Sequence, residues 1–177
     1  MPFQRTGFAA RMVAMAVAVT LAQPARAADE AELKAAIVFN LMLFVDWPAV
    51  SKPAPGAPWV LCISPSNPNA EAMRRLSGRP LRDAHLELQP WPPAPGARPC
   101  HATFLGPDDL GPSTPPFAAR PGLLTISDAA DPDSSSVSIA IQHNGPKLGF
   151  GLNLPALRRA QLQPSAKLLR LAQGVQE

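Results

Sequence analysis

Proline most strongly limits the folds available to this chain, because it lacks a backbone N–H and is excluded from helix interiors and central strands. The chain contains 23 prolines, concentrated at residues 53–58, 90–99, 107–121 and 132. Apolar segments lie between these positions. The prolines therefore predict loops that separate buried elements, and they do not indicate a disordered chain.

The first 27 residues have the three-part pattern of a secretory signal peptide. Arg5 and Arg11 give a positive start, residues 12–22 are almost wholly apolar, and residues 25–27 (ARA) suit signal peptidase. The apolar run is about eleven residues, against roughly 20 for a membrane-spanning helix, although an uncleaved anchor is the alternative. We predict a signal peptide over residues 1–27, and a periplasmic domain over residues 28–177 with no direct membrane insertion after cleavage.

The predicted cleavage changes the charge of the chain. The precursor has 16 Lys+Arg and 13 Asp+Glu, and three of the basic residues lie before residue 28, so the mature chain has 13 of each sign. A formally neutral domain gives no support for binding to nucleic acid. About 150 residues are enough for one domain with a hydrophobic core, and no boundary indicates a second domain.

A first helix is predicted over residues 29–45. Asp29 is a candidate N-cap, Glu32 would complete a capping box, and Pro48 follows the end. From residue 35 onward this helix is apolar nearly all round, so it lies either at the centre of the core or partly under a partner.

Shorter patterns predict the remaining elements. Apolar runs indicate buried strands at residues 59–63, 100–105 and 123–126, and alternation indicates a half-buried strand at Leu86 and Leu88. Alternating apolar residues on both sides of Asn144-Gly145 indicate a β-hairpin.

Two further helical segments follow from the same patterns. One is expected over residues 68–76 with Asn67 as its cap. The other begins at Leu154, is interrupted at residues 163–165, and continues with Ser165 as a cap and three leucines to bury, Leu168, Leu169 and Leu171. These elements predict an α/β fold: a single domain with a mixed β-sheet flanked by helices, a C-terminal β-hairpin and a closing helix.

Cys62 and Cys100 are the two cysteines of the chain. In an oxidising compartment a disulfide is the first expectation, and two buried free thiols are the alternative. Because no histidine or second thiol lies at ligand spacing from either cysteine, no metal site is expected.

The sequence contains no convincing catalytic constellation: it has no nucleophile elbow, P-loop or dinucleotide-binding glycine motif. Ser127 and Asp128 follow a buried strand, where enzymes often place catalytic groups. An aspartate that caps the following turn is the simpler interpretation. We therefore expect no enzyme and no cofactor; an envelope enzyme that uses this pair with His85, His101 or His143 is the least favoured alternative.

A small-ligand pocket is a second interpretation of the same region. Gly149 and Gly151 alternate with apolar residues in the last strand, and strand glycines often mark the close approach of a ligand. Such a pocket would be lined by Ser127, Asp128, Phe150 and Asn153, and the protein would then be a periplasmic sensor or carrier.

Three segments together resemble the YfiR family. They are residues 33–48 (LKAAIVFNLMLFVDWP), residues 123–128 (LLTISD), and residues 150–153 (FGLN) followed by 165–172 (SAKLLRLA). Their order and rough spacing resemble the family across the whole mature chain. Cys62 and Cys100 also fall where the family places a structural disulfide.

The resemblance implies a periplasmic regulator without catalytic activity. The family's named member is a repressor that binds the periplasmic sensor part of an inner-membrane diguanylate cyclase, and so lowers cyclic-di-GMP signalling and biofilm matrix production. The resemblance also implies a homodimer, a response to redox state or envelope stress, and an outer-membrane lipoprotein that sequesters the repressor.

The chain departs from the family pattern at two places. The segment at residues 131–136 (DPDSSS) has neither the second cysteine pair nor the Gly-Gly of relatives, and residues 107–121 contain too many prolines for the helix found there in relatives. These departures concern the partner and any redox switch that needs two disulfides, and they leave the predicted fold unchanged.

Overall fold

The computed structural model describes residues 24–110, 120–129 and 137–177. Most of the predicted signal peptide, at residues 1–23, lies outside this range. So do residues 111–119 of the proline-rich region and residues 130–136, where the sequence departs from the family.

Helices and short strands alternate along the described chain. In order they are α1 (Pro24–Phe44), β1 (Val45–Asp46), β2 (Trp59–Ile63), α2 (Ala70–Arg74), β3 (Pro80–Leu81), β4 (Ala84–Pro90), β5 (Ala102–Leu105), β6 (Leu124–Ser127), β7 (Ile139–Asn144), β8 (Lys147–Asn153), α3 (Leu154–Arg159), β9 (Gln163–Pro164), α4 (Ala166–Leu171) and β10 (Gly174–Gln176). Single 3₁₀ turns lie at Ala49–Ser51 and Pro107–Leu110.

Eight of these strands form one mixed sheet in the order β10-β8-β7-β6-β5-β2-β4-β3. The pairs from β4 through β2, β5 and β6 to β7 are parallel, whereas β7 and β8 are antiparallel. β1 and β9 pair separately, as a two-stranded antiparallel ribbon. The predicted single α/β domain with a mixed sheet is confirmed, and the structure supplies the strand order that the sequence does not reveal.

Alternation along the strands divides the core between the two faces of the sheet. Trp59, Leu61 and Ile63 of β2 face the main core, which also contains apolar residues of all four helices. The intervening Val60 and Cys62 face a smaller cluster on the other side, formed with Cys100, Leu123 and Trp91. The disulfide therefore lies on the face opposite the main core.

Helix α1 begins earlier than predicted. Asp29 lies inside the helix, because the described part already starts at Pro24, so the predicted capping box is wrong. Residues 24–27 of this extension belong to the predicted signal peptide. In the full-length chain the extension is helical because proline is tolerated in the first turn and alanine has the highest helix propensity. The apolar part of α1 contributes Val38, Leu41 and Met42 to the core.

A distant arginine satisfies the carboxyl end of α1. The Arg82 guanidinium donates hydrogen bonds to the backbone oxygens of Leu43 and Val45, at 2.9 Å for Leu43. Its Nη1 lies 3.6 Å from the Asp46 carboxylate. The last carbonyls of a helix lack partners within the helix, so this contact ties α1 to the loop between β3 and β4.

A stack of rings fills the core at the amino end of β2. The Trp59 ring centroid lies 4.9 Å from those of Trp47 and His101. Arg82 lies over both indoles, at 5.8 Å from Trp47 and 5.7 Å from Trp59. The Trp47 indole N–H also donates to the backbone oxygen of Gly122 at 2.9 Å. One arginine thus holds α1 and both tryptophans.

The predicted hairpin is confirmed as β7 and β8, with Asn144 opposite Lys147. The two-residue loop is Gly145-Pro146. Gly145 has φ +59°, and proline at the second position fixes a negative φ, which is the combination that a type II′ turn needs.

Helix α2 is shorter than predicted, and its predicted cap is wrong. The Asn67 side chain accepts a hydrogen bond from the Asn69 N–H at 2.9 Å, in the turn before the helix, and α2 begins only at Ala70. An asparagine can bond its own backbone two residues on, which competes with a helix start.

The C-terminal segment is confirmed in part. The Ser165 hydroxyl caps α4 by accepting from the Leu168 N–H at 3.2 Å, as predicted. Leu168 is buried, but Leu169 and Leu171 are exposed, at 39% and 56%, so their predicted burial is wrong. Strand β10 follows α4 and pairs in parallel with β8, an element that the sequence analysis missed.

Candidate functional site

The carboxyl ends of β2, β5 and β6 meet at one edge of the sheet. After β2 the chain moves to β4 on one side, and after β5 it moves to β6 on the other side. In open parallel sheets, ligands bind where neighbouring connections leave in opposite directions. The predicted Ser127 and Asp128 lie at this edge, at the end of β6.

Asp128 is held by an ion pair and by an amide from two other elements. Its Oδ2 lies 2.9 Å from the Lys34 ammonium and accepts from the Asn69 side-chain amide at 3.1 Å. The Lys34 and Asp128 side chains are 15% and 12% exposed. Lys34 also pairs with Glu30, four residues before it on α1, at 2.8 Å. We call these four residues the Lys34 cluster.

Ser127 has a structural role beside this cluster. Its hydroxyl donates to the Leu105 backbone oxygen at 2.8 Å and accepts the Ala129 N–H at 3.0 Å. The bond to the turn is therefore made by the serine, whereas Asp128 holds Lys34 and Asn69. Of the three histidines, His143 borders this cluster: its Nε2 lies 3.3 Å from Glu30 Oε1, and it lines the same cleft as Lys34 and Asp128. His101 accepts from the Val60 N–H, and His85 lies in β4.

The charges within the Lys34 cluster shift two pKa values in opposite directions. A hydrogen bond from Lys34 is the main cause that lowers the pKa of Glu30 below its ordinary 4.5. For Lys34, burial acts to lower the pKa, but the hydrogen bonds and charges of Glu30 and Asp128 outweigh burial and raise it above 10.5. The cluster therefore favours the charged forms of Glu30 and Lys34.

Replacing Lys34 with methionine is expected to lower the free energy of unfolding by about 1–3 kcal/mol near neutral pH. Because the pKa of Glu30 is lowered in the folded protein, its contribution to stability is lost as the pH falls through that folded-state pKa. Because the pKa of Lys34 is raised, its contribution is lost as the pH rises through the folded-state pKa of Lys34. Urea unfolding of Lys34→Met and wild type across pH should show the largest difference between about pH 5 and 10.

Lys147→Met provides the matched control for that comparison, since Lys147 is exposed at the hairpin. A difference between Lys34→Met and wild type that stays constant from acid to alkaline pH would contradict the charged cluster.

Phe150 lies in a different place, in a groove between α1, β8 and α4. We call it the α1–α4 groove. It has a volume of about 290 Å³ and is lined by apolar side chains, chiefly Ile37, Leu41, Phe44, Phe150, Leu168 and Leu171. The Lys167 ammonium lies 4.3 Å from the centroid of the Phe44 ring, at the rim. This groove is the part of the predicted all-apolar helix that the core does not cover.

Asn153 caps a helix. Its side-chain oxygen accepts the Ala156 N–H at 2.9 Å and so begins α3. Phe150 pairs in register with Ile141 of β7, and the Asn153 backbone N–H donates to the backbone oxygen of Ser138, the residue before β7. The structure therefore places Ser127 with Asp128 at the sheet edge, Phe150 in the groove and Asn153 at a helix start.

The expected disulfide between Cys62 and Cys100 is present, with 5.8 Å between the two Cα atoms. Cys62 lies in β2 and Cys100 lies two residues before β5, so the bond joins β2 to the segment that leads into its parallel neighbour. Trp91 packs against this cluster from the loop side.

Neither a metal-binding cluster nor a membrane-spanning helix is present in residues 24–110, 120–129 and 137–177. In these ranges, no group of three or more His, Cys, Asp or Glu side chains could hold a metal ion. No helix in the same part of the chain is long and apolar enough to cross a membrane.

Comparison with protein families assigns the fold. The sequence profile of the YfiR/HmsC-like family matches residues 31–173, which includes α1, the sheet and α4. The chain belongs to the YfiR/HmsC-like family. A search of curated proteins found no match. The resemblance seen in the sequence is confirmed, and the YfiR/HmsC-like family is regulatory and not catalytic.

Sequence reasoning on this YfiR/HmsC-like chain missed two partners of Asp128. Lys34 and Asn69 are 94 and 59 residues away along the chain. The i,i+4 spacing of Glu30 and Lys34 is a local signal for a pair of opposite charges, but no local signal shows that a third charge, Asp128, joins it.

Proposed function

We propose that this protein is a non-enzymatic periplasmic regulator that binds the periplasmic sensor part of an inner-membrane diguanylate cyclase and lowers cyclic-di-GMP synthesis. The open α1–α4 groove is the observation that carries the proposal. Family membership supports the regulatory part, and the predicted signal peptide supports the periplasmic location.

The groove has the composition of a protein-binding surface. Its base is formed by partly buried apolar side chains, and Leu171 at its edge is 56% exposed. Leu33, one turn before Ile37 on α1, extends the apolar surface and is 50% exposed. Apolar patches with a polar rim mark interaction sites, and a few buried anchors usually supply most of the binding energy.

Regulation by binding requires a difference in affinity between two states of the partner. The protein must bind the inactive arrangement of the cyclase more tightly than the active one, since equal affinity shifts nothing. A preformed groove suits this role, because little binding energy is spent on ordering it.

The test is repression by groove variants in a strain from which the gene has been deleted. We expect deletion to raise the cellular level of cyclic-di-GMP. Wild-type protein returned to the deletion strain should lower the level again, whereas the Leu171→Asp variant should leave it high. A charge in an apolar contact should weaken binding to the purified sensor part by roughly tenfold or more.

Leu169→Asp is the matched control, because Leu169 lies on the same helix, is 39% exposed and does not line the groove. It should repress like wild type. An unchanged cyclic-di-GMP level on deletion would remove the regulatory proposal, and full repression by Leu171→Asp would remove the groove as the contact surface.

A further inference from the structure

A second cleft lies at the amino ends of β2, β5 and β6, opposite the carboxyl ends where the Lys34 cluster lies. It is bounded by residues 50–58, by residues 98–101 before β5, and by Pro121-Gly122 before β6, and its volume is about 340 Å³. Four prolines line it, Pro53, Pro58, Pro99 and Pro121, with Val50 and Val60. We call it the proline cleft.

His101 gives this cleft a hydrogen-bond donor on a ring that is mostly buried. The residue is 7% exposed, and its Nδ1 accepts the Val60 N–H at 2.9 Å, so the ring proton resides on Nε2. Burial lowers the pKa of His101, which keeps the ring neutral at neutral pH. Within the described part of the chain, the Nε2–H has no hydrogen-bond partner. His101 lines the cleft, and its Nε2 is not among the buried unpartnered atoms of the described residues, so this N–H is open to solvent and available to a ligand.

The rim of the cleft carries positive charge. The Lys52 ammonium forms no ion pair with any residue that the structure describes. Arg98 also lines the cleft, but it already pairs with Glu87 at 2.6 Å. No acidic side chain is among the described residues that form the walls. The electrostatic field at the opening therefore favours an anion.

The walls are rigid. The prolines in the walls have few conformations to lose when a ligand binds. Cys100, the residue before His101, is fixed by its disulfide bond to Cys62. Gly122 lies so close to the Ser51 side chain that an added Cβ would be 2.1 Å from the Ser51 Cβ, and the Ser51 hydroxyl donates to the Pro121 backbone oxygen at 3.3 Å. These contacts hold the two loops together. A cleft formed in advance costs little to occupy.

We propose that the proline cleft binds a small amphipathic carboxylate, with its apolar body against the prolines and its carboxylate accepting hydrogen bonds from His101 Nε2–H and Lys52. The volume is near the lower end for ligand sites, so a ligand of about ten non-hydrogen atoms suits it. This proposal does not rest on the regulatory function.

The test is titration of the disulfide-bonded mature protein with octanoate, by calorimetry and by ¹H–¹⁵N NMR. We expect octanoate to bind at least tenfold more tightly than octylammonium, and Lys52→Met to weaken octanoate binding by roughly three- to tenfold. The His101 ring and the amide of Val60 should show the largest chemical-shift changes. Lys52 is exposed, so Lys52→Met should fold normally, and Lys147→Met is the control expected to bind like wild type.

Three results would overturn the proposal. They are no binding of octanoate up to about 10 mM, equal binding of octanoate and octylammonium, and chemical-shift changes confined to the α1–α4 groove. None of them bears on repression of a cyclase, so failure here is distinguishable from failure of the proposed function.

Discussion

Replacing both Cys62 and Cys100 with alanine is expected to lower the free energy of unfolding by about 4 kcal/mol. The bond joins residues separated by 38 positions, and it restricts the unfolded chain across that span. The surrounding apolar cluster is small, consisting of Val60, Leu123 and Trp91 besides the cysteines, so packing alone offers little compensation. Urea unfolding of the double variant and of wild type measures the difference.

Reduction of the wild-type protein is the control for that experiment. It should give a loss similar to that of the double variant, because both remove the covalent constraint and leave the main core unchanged. A loss below about 1 kcal/mol would mean that the unfolded chain is already compact around these strands.

Trp59→Ala should cost about 3–5 kcal/mol, as large-to-small changes of buried aromatic residues do. Trp59 is 2% exposed and contacts the rings of Trp47 and His101, and Arg82 lies over it. The substitution would leave a cavity where α1, β2 and β5 meet. The measurement is again urea unfolding, with near-UV circular dichroism to follow the packing of the remaining tryptophans.

Two comparison variants show whether this loss is specific. Trp59→Phe keeps a ring in the stack and should be clearly less destabilising than alanine. Trp91→Ala removes a half-buried indole from the smaller cluster, and its effect should be smaller than that of Trp59→Ala. Equal losses for Trp91→Ala and Trp59→Ala would contradict a central role for the stack.

Features with local causes could be predicted from the sequence. The hairpin depends on alternation and on a glycine that accepts φ +59° at position 145. The cap of α4 depends on a serine three residues before the N–H that it accepts. Strand β2 is a five-residue apolar run bounded by turn residues, and it was predicted with its observed limits.

Features that depend on distant parts of the chain could not be predicted from the sequence. Asp29 has the right side chain for a cap, but the helix continues through it from Pro24. Leu171 has the spacing of a core residue, yet no element covers more than part of it. Strand β10 contains a single apolar residue, Val175, and exists because β8 offers a free edge beside it.

The candidate site shows the same division. Ser127 and Asp128 were singled out because polar residues after a buried strand lie at a sheet edge. Their actual partners come from α1 and from the turn before α2, and only tertiary packing brings these together. Phe150 and Asn153 were grouped with them by sequence proximity to glycines, whereas the structure gives one a place in the groove and the other a helix start.

The order of strands in the large sheet also sets the order in which the chain can assemble. β7 and β8 are joined by two residues, so this hairpin can form within microseconds. The parallel neighbours β2, β4, β5 and β6 are separated by long connections, and β10 can join β8 only when nearly all of the chain is present. Closing such loops is slow, so the sheet is completed late. One wall of the α1–α4 groove is α4, which directly precedes β10 in the chain. The groove is therefore among the last surfaces to form.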